Sequence, residues 1–383
     1  MRDPGSRQND PSTRSNSPYE VVRVPDDAIE STVLPLWSMG MSDPEIVNRV
    51  GQRFDWLYRD NPAGRPCTWV VKDRATQAVL GACSVVPQVL FMQGRAVRAG
   101  LMVDFIVDPK ARIAGPAIAL QRGLAEQCRA AGFDMLLGYP NRKAWPILAR
   151  AGYTAIDITR AWARSLRRDP VGARRMLQSK LSARLPDSLA KTVSTLLAQP
   201  LAGLAQVALG VAEALKRLLH PGLSGSLRDF DGGFPDVETP TPSRLHTEAS
   251  AAYRHWRYGL HPTHLYRLFE LKQSGQTMAW AILRLYEESA EVQDAGWQAD
   301  RSDLPGALWW SLPGALRREG FRVLSVNNAG DPNVDRSLAA ALFVQRVDRR
   351  RVILRPSNPE DADLVSSLAD GRGWRMFAGT LDI

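Results

Sequence analysis

At 383 residues the chain is long enough for about two to three domains, each with a sizeable core. Hydrophobic residues at 44% and charged residues at 23% match a soluble globular protein, which excludes wholesale disorder, a collagen-like repeat and a polytopic membrane protein. Lys and Arg number 49 against 40 Asp and Glu, and the resulting charge of +9 favours an anionic partner: nucleic acid, a phosphorylated cofactor or an anionic membrane surface.

Residues 1–17 hold almost no apolar side chains and predict a disordered tail, because they bury too little surface to offset ordering entropy. No apolar stretch of a secretory signal follows, and ordered sequence is expected from about Tyr19. A first domain is expected over 18–168. It opens with a helical stretch carrying Trp56-Leu-Tyr58 and continues in β-rich segments at 68–71 and 79–86. Cys67, Cys83 and Cys128 are odd in number and contain no C-x-x-C. They make neither a disulfide framework nor a cysteine zinc cluster, and point to free thiols in a reducing cytoplasm.

The most informative stretch is Leu101-Met-Val-Asp104-Phe-Ile106-Val107-Asp-Pro109-Lys110-Ala-Arg112-Ile113-Ala114-Gly115-Pro116-Ala117. Its apolar run predicts a strand that stops at Pro109. The loop then leads into a helix over 116–131, with Pro116 in the first position, where its missing N–H costs nothing. Gly115 is expected to let the backbone turn tightly and approach a ligand. Backbone N–H groups, the positive end of the helix dipole, Lys110 and Arg112 then converge on one point, which is what a pyrophosphate site requires. Asp104 lies inside an otherwise apolar strand, a setting that suits a general base or a structural carboxylate. Further on come an apolar strand, Leu136-Leu-Gly-Tyr139-Pro-Asn141, a helix, and Gly152-Tyr153.

From Asp169 the composition changes. Within 171–219, Leu201, Leu204, Ala208, Val211, Leu215 and Leu218 recur at steps of three and four, which puts them on one helical face ended by His220-Pro221-Gly222. That face predicts either a helix packed on a domain, or an interfacial helix with Arg174, Arg175, Lys180, Lys191, Lys216 and Arg217 turned to anionic lipid. Gln199, Pro200 and Gln206 interrupt it too often for a spanning helix to be expected. Residues 222–243, rich in Gly, Pro, Ser and Asp, read as a linker, which makes 169–243 a helical insertion.

The chain then repeats itself. Trp56-x-Tyr58-x-x-x-Pro62 returns as Trp256-x-Tyr258-x-x-x-Pro262, and Gly132-Phe133-Asp-Met-Leu136 as Gly320-Phe321-Arg-Val-Leu324. Two landmarks in the same order predict a duplicated domain over 244–383. Each copy mixes strands and helices, so the fold class is α/β (mixed α+β). The second copy reads GWQADRSDLPGAL where the first has its phosphate loop, and contains no R-x-x-G-x-[GA].

Val107-x-Pro109-x-x-Arg112-x-x-Gly115-x-Ala117 fits the pyrophosphate signature of the GNAT acyl-CoA-dependent N-acyltransferases throughout, and over Tyr19–Leu166 the chain resembles that superfamily. The resemblance implies two tandem GNAT-like domains, each a twisted mixed sheet flanked by helices, with a degenerate second half. It also implies acetyl-CoA, or another acyl-CoA, as co-substrate and no metal. Backbone N–H groups at Ile106 and Val107 would polarise the thioester carbonyl, the Lys110–Ala117 loop would hold the pyrophosphate, and Asn141 would begin the helix beyond the pantetheine arm. The acceptor amine would attack directly, with Asp104 as the base. The Tyr that usually protonates the thiolate is here Leu148, which leaves Tyr153 as the expected second catalytic residue, with Tyr139 also nearby in sequence. Trp56, Tyr58, Trp256 and Tyr258 are candidates for an acceptor pocket or for core. His255, His261 and His264 lack zinc spacing, and no nucleic-acid motif is present. The expected acceptor is a primary amine of a small or lipid-linked molecule, such as an amino sugar destined for polysaccharide. The alternative is a non-catalytic acyl-CoA sensor or membrane scaffold. The expected location is the cytoplasm, at the inner membrane face if the insertion is interfacial.

Overall fold

The computed structural model describes residues 17–40, 48–92, 94–111, 114–156, 159–235, 237, 245–247, 250–346, 351–358, 360 and 374–381. The tail expected over 1–17 lies outside these residues apart from Ser17. The first half runs β1 (Tyr19–Arg23), α1 (Ile29–Gly40), α2 (Val50–Phe54) continuing into a π turn (Asp55–Arg59), β2 (Cys67–Asp73), β3 (Val79–Met92), β4 (Arg95–Val107), α3 (Ala114–Gln127), β5 (Met135–Gly138), α4 (Trp145–Arg150), β6 (Thr154–Ile156) and β7 (Thr159–Ser165). Two helices follow, α5 (Pro170–Leu181) and α6 (Asp187–Leu219), then β8 (Leu223–Asp229) and β9 (Leu245–Thr247). The second half continues with α7 (Ala251–Arg254) and its π turn (His255–Gly259), β10 (Tyr266–Gln273), β11 (Gln276–Leu285), β12 (Ser289–Trp297), α8 (Leu304–Arg318), β13 (Val323–Ala329), α9 (Pro332–Ala340), β14 (Val344–Arg346), β15 (Val352–Pro356), β16 (Trp374–Phe377) and α10 (Ala378–Leu381).

Both halves build the same sheet. The first is ordered β1-β2-β3-β4-β5-β15-β6 and the second β8-β10-β11-β12-β13-β7-β14. In each, the strand beside the central parallel pair comes from the other half. β15 lies between β5 and β6, with Ile353 opposite Gly138 and Ala155, while β7 lies between β13 and β14, with Trp162 opposite Val326 and Gln345. The two halves have therefore exchanged one strand each, β7 for β15, the intramolecular form of domain swapping. β9 and β16 close the gap: β9 pairs with β3, β16 with β9 and β13, and one sixteen-stranded sheet results.

Three expectations change. Residues 223–229 are not linker: β8 pairs with β10 as β1 pairs with β2, so the second unit begins there rather than at 244. The helix after the phosphate loop runs Ala114–Gln127 and not 116–131, which moves Pro116 into the third helical position, still within the first turn. The apolar face of α6 is also not packed on a domain. Leu204, Val211, Leu215 and Leu218 on that face are exposed.

The repeated aromatic motif lies where the halves meet. The Trp56 and Trp256 rings stack at 4.9 Å and 14°, and each indole Nε1 donates to the other residue's carbonyl, at 2.9 and 2.7 Å. Both are almost fully buried in a core shared by the two halves. Sequence periodicity thus marked a pseudo-twofold clasp, not the wall of an acceptor pocket. On the outer side, helix α3 lies directly on β1. A Cβ at Gly115 would come within 2.9 Å of the Tyr19 ring, and one at Gly123 within 2.6 Å of Val21. Gly115 has no positive φ and stands in helical backbone, so it makes room for Tyr19 rather than forming a turn.

Candidate functional site: a cleft between two parted strands

β4 and β5 pair in parallel only from Ala99–Met135 to Leu101–Leu137. β4 then runs on to Val107 along β3, while β5 stops at Gly138 and the chain turns away through Tyr139 and Pro140. Beyond Leu101 one edge of β4 has no strand partner among the described residues, and its backbone groups face a cavity of about 250 Å³. Val103, Asp104, Phe105, Tyr139, Asn141 and Leu148 help line it, with Ile353 arriving from the exchanged strand β15.

A bulge shapes the cleft wall. The β3–β4 register skips between Ala82–Ile106 and Ser84–Val103, and Asp104 takes φ +53°, the left-handed region. Its carboxylate is fully engaged. Arg53 donates from Nη2 to Oδ1 at 3.0 Å and from Nη1 to Oδ2 at 3.4 Å, and the Tyr58 hydroxyl lies 3.3 Å from Oδ2. Tyr58 is also 2.6 Å from Ser84 Oγ, which is 2.9 Å from Thr68 Oγ1. The Asp104 and Arg53 side chains are 5% and 9% exposed, and the Arg53 guanidinium lies 4.4 Å over the Trp37 ring. Burial, and then the Asp104 charge, hold the Tyr58 hydroxyl well above its ordinary pKa. Sequence reasoning missed Arg53, Ser84 and Thr68. The signal available was Tyr58, whose repeat in the second half implied a specific partner.

The other expected residues fall as follows. Lys110 is exposed in a one-turn 3₁₀ segment, its N–H bonded to Asp108 Oδ1 at 2.8 Å, just ahead of the N-terminus of α3. Pro116 and Ala117 are buried in the first turn of that helix, and Ile106 and Val107 end β4. Arg112 and Ile113 lie outside the described residues, as does the Ala114 side chain. Asn141 lines the cleft, and its Oδ1 accepts the Lys143 and Ala144 N–H groups at 3.0 and 2.9 Å, so it also fixes the turn into α4. Tyr153 is not at the cleft. It is buried in the core with its hydroxyl donating to Gln121 Oε1 at 3.3 Å, and burial raises its pKa well above the ordinary value. Tyr139 is the tyrosine that lines the cleft. Its Oη is buried with no hydrogen-bond partner among the described residues, and burial raises its pKa. That oxygen is shut off from solvent and so from the cleft, and what fits an acyl-CoA arm here is the unpaired edge of β4 beside the cavity.

The second half carries the same elements but closes its cleft. β12 and β13 pair from Ser289–Val323 to Val292–Val326, a register shift follows at Ile282–Asp294, and Arg254 Nε lies 3.7 Å from Asp294. The space between the parted strands holds the chain's own C-terminal segment. Phe377 and Met376 pair with Asn328 and Ala329, and Arg257 Nε donates to the Gly379 carbonyl at 2.9 Å. Any Cβ at Gly379 would overlap Tyr258 Oη and come within 2.7 Å of the Gln293 carbonyl. At the N-terminus of α8 stands Asp303, held 2.8 Å from Arg301, whose hydrogen bond lowers its pKa. A larger cavity of about 750 Å³ lies against the second half, lined by Tyr258, His261, His264 and Arg284. Tyr258 stands between it and Gly379 of the segment that fills the second parting. His261 stacks on His264 at 4.3 Å and meets Trp56 at 4.5 Å with the rings tilted by 54°, and its ring Nδ1 accepts the His264 N–H at 3.1 Å. These rings are built into packing.

No protein-family model and no curated protein matches the sequence. Solved structures do match the fold. A GCN5-related N-acetyltransferase from Anabaena variabilis superposes with a TM-score of 0.53 at 13% identity, over 89% of this chain and 73% of that one. An Enterococcus faecalis protein described as a probable N-acyltransferase gives 0.54 at 8% identity, over 88% and 73%. A tandem GNAT protein from the clavulanic acid biosynthesis pathway is also similar, with a TM-score of 0.49 at 16% identity, over 89% and 99%.

Proposed function

We propose that this chain, which folds as two GNAT units in tandem, transfers an acyl group from acyl-CoA to a primary amine, using only the cleft of its first half. The observation that carries this reading is the parting of β4 and β5 at Leu101, which leaves one edge of β4 free beside a cavity of about 250 Å³. Bound acyl-CoA would supply the activated thioester. Lys110 and the first turn of α3 would hold its pyrophosphate by charge and helix-terminal N–H groups, with Arg112 and Ile113 completing the loop. The free edge of β4, as far as Val107, would present its outward N–H to the thioester oxygen as negative charge develops there. The amine would attack the carbonyl carbon, the C–S bond would break, and the ammonium proton would leave the site.

Asp104 is read as a positioning carboxylate and not as the base. Both its oxygens are already taken by Arg53 and Tyr58, so its work is to hold the bulge that aims β4 into the cleft. The proton then passes to water. With Leu148 in place of the family's usual Tyr, the thiolate proton would come from solvent, and Tyr153, buried away from the cleft, has no part in it.

The acceptor is assigned by class: an amine on a small or lipid-linked molecule, such as an amino sugar destined for polysaccharide, met in the cytoplasm at the inner membrane face. A second reading, an acyl-CoA sensor without turnover, is favoured by Leu148 and the closed second cleft. Calorimetric titration with acetyl-CoA should give one site per chain, weakened by Lys110→Glu at an exposed position, and an amine panel should release CoA thiol. Two sites would refute the closed second cleft. Binding without thiol release would leave the sensor reading.

A further inference from the structure

A helix packed on a protein buries its large apolar side and turns its polar side to water. α6 does the reverse. Its buried positions are small or charged: Ala190, Ser194, Ala198 and Ala202 at steps of four, then Glu213. Its large apolar residues point away, with Leu196, Leu204, Val207, Val211, Leu215 and Leu218 at 71, 67, 63, 55, 57 and 77% exposed. Val171 and Met176 of α5 extend the same surface. An apolar area of this size is rarely left open on a soluble monomer.

The helix is anchored by its polar side. Glu213 is 3% exposed and accepts from Arg164 of the exchanged strand β7 at 2.6 Å and from Arg317 of α8 at 2.7 and 2.9 Å. Gln206 donates to the Leu166 carbonyl at 3.3 Å. Asp187–Lys216 is long and apolar enough to cross a membrane, with a mean hydropathy of 1.5. Crossing would pull Glu213 out of its ion pairs and into hydrocarbon, which is strongly unfavourable. The helix is thus built to lie along a surface.

The charge around the face names the surface. Residues 170–219 carry seven Lys and Arg (Arg174, Arg175, Lys180, Arg184, Lys191, Lys216 and Arg217) against two acids, Asp187 and the buried Glu213. Two copies joined by this face would bring like charges together, whereas anionic headgroups neutralise them. We propose that the α5–α6 face docks in the plane of an anionic lipid bilayer, α6 sinking its leucines and valines among the acyl chains while the flanking Lys and Arg meet phosphates. The inference goes beyond acyl transfer and is tested independently of it.

The test is flotation of the full chain with vesicles of phosphatidylglycerol and phosphatidylcholine, and with pure phosphatidylcholine. Binding is expected on the anionic vesicles, weaker by about tenfold on the zwitterionic ones or in high salt. Leu204→Glu with Val211→Glu should lower binding by at least about tenfold. Both side chains are mostly solvent-exposed, so the melting temperature should stay put. Alkaline carbonate should strip the bound protein. No flotation on anionic vesicles would overturn the proposal. So would bound protein that resists carbonate, which means spanning, or a dimer dissolved by Leu204→Glu in a chain that ignores vesicles.

Discussion

Asp104 takes a backbone conformation that L residues avoid and that Asp and Asn tolerate best, so Asp104→Asn changes charge with little added strain. The substitution leaves Arg53 buried without its counter-charge, and breaking such a pair costs about 3 kcal/mol. A melting temperature lowered accordingly, and kcat/KM down by about tenfold with the pH profile keeping its shape, is expected of a positioning residue. Loss of one limb of that profile would instead make Asp104 the base. Buried titratable groups set the pH range of stability. Burial above all, then Arg257 and His264, hold His261 below its ordinary 6.5, so the unfolded chain takes up that proton first and stability falls as pH drops below 6.5. Burial pushes Cys83 from 9.0 to about 12, and raises Tyr58, Tyr153 and Tyr258, so the folded chain keeps protons that the unfolded one loses and stability falls as pH rises past 9. Melting temperatures should plateau between these limits. His261→Asn, which keeps an acceptor near Nδ1, should flatten the acid limb by up to about 1.4 kcal/mol per pH unit.

The elements that decide function are short and differ between the halves in what fills the space beside them. In the first half nothing from the chain's described residues enters the parting of β4 and β5. In the second, β16 and α10 occupy it, and Gly379 passes between Tyr258 and the Gln293 carbonyl because a side chain cannot. Gly379→Ala must displace backbone, and should cost about 1–3 kcal/mol, read as a lowered midpoint in urea. An unchanged midpoint would mean that the segment yields freely and that the second cleft can open. The β10–β11 turn shows how local chemistry sets register. Ser274 and Gly275 both have positive φ, which suits a two-residue hairpin turn whose twist matches the strands.

For the whole molecule, the strand exchange makes the two halves interdependent. β15 supplies Ile353 to the first cleft, and β7 carries Arg164, which anchors α6 to the second half. A chain ended at residue 222 lacks β15 and leaves β5 and β6 with open edges, a liability for aggregation. It should fail to bind acetyl-CoA in calorimetry, and co-expression with 223–383 should restore binding. Full affinity in the truncated chain would show the exchange to be dispensable.

The sequence by itself determined the class of fold, the duplication and the open half. Those features rest on local rules: a strand that must end at Pro109, a helix N-terminus beside Lys110, and a Trp-x-Tyr spacing repeated at 200 residues. Only the tertiary structure decided what long-range packing controls. It placed Tyr139 and not Tyr153 at the cleft, paired Asp104 with Arg53 across 51 residues of chain, and traded β7 for β15 between the halves. It also turned the leucines of α6 outward. Helical spacing fixes which residues share a face, but the inward face of α6 was chosen by the buried partners that Glu213 finds in Arg164 and Arg317.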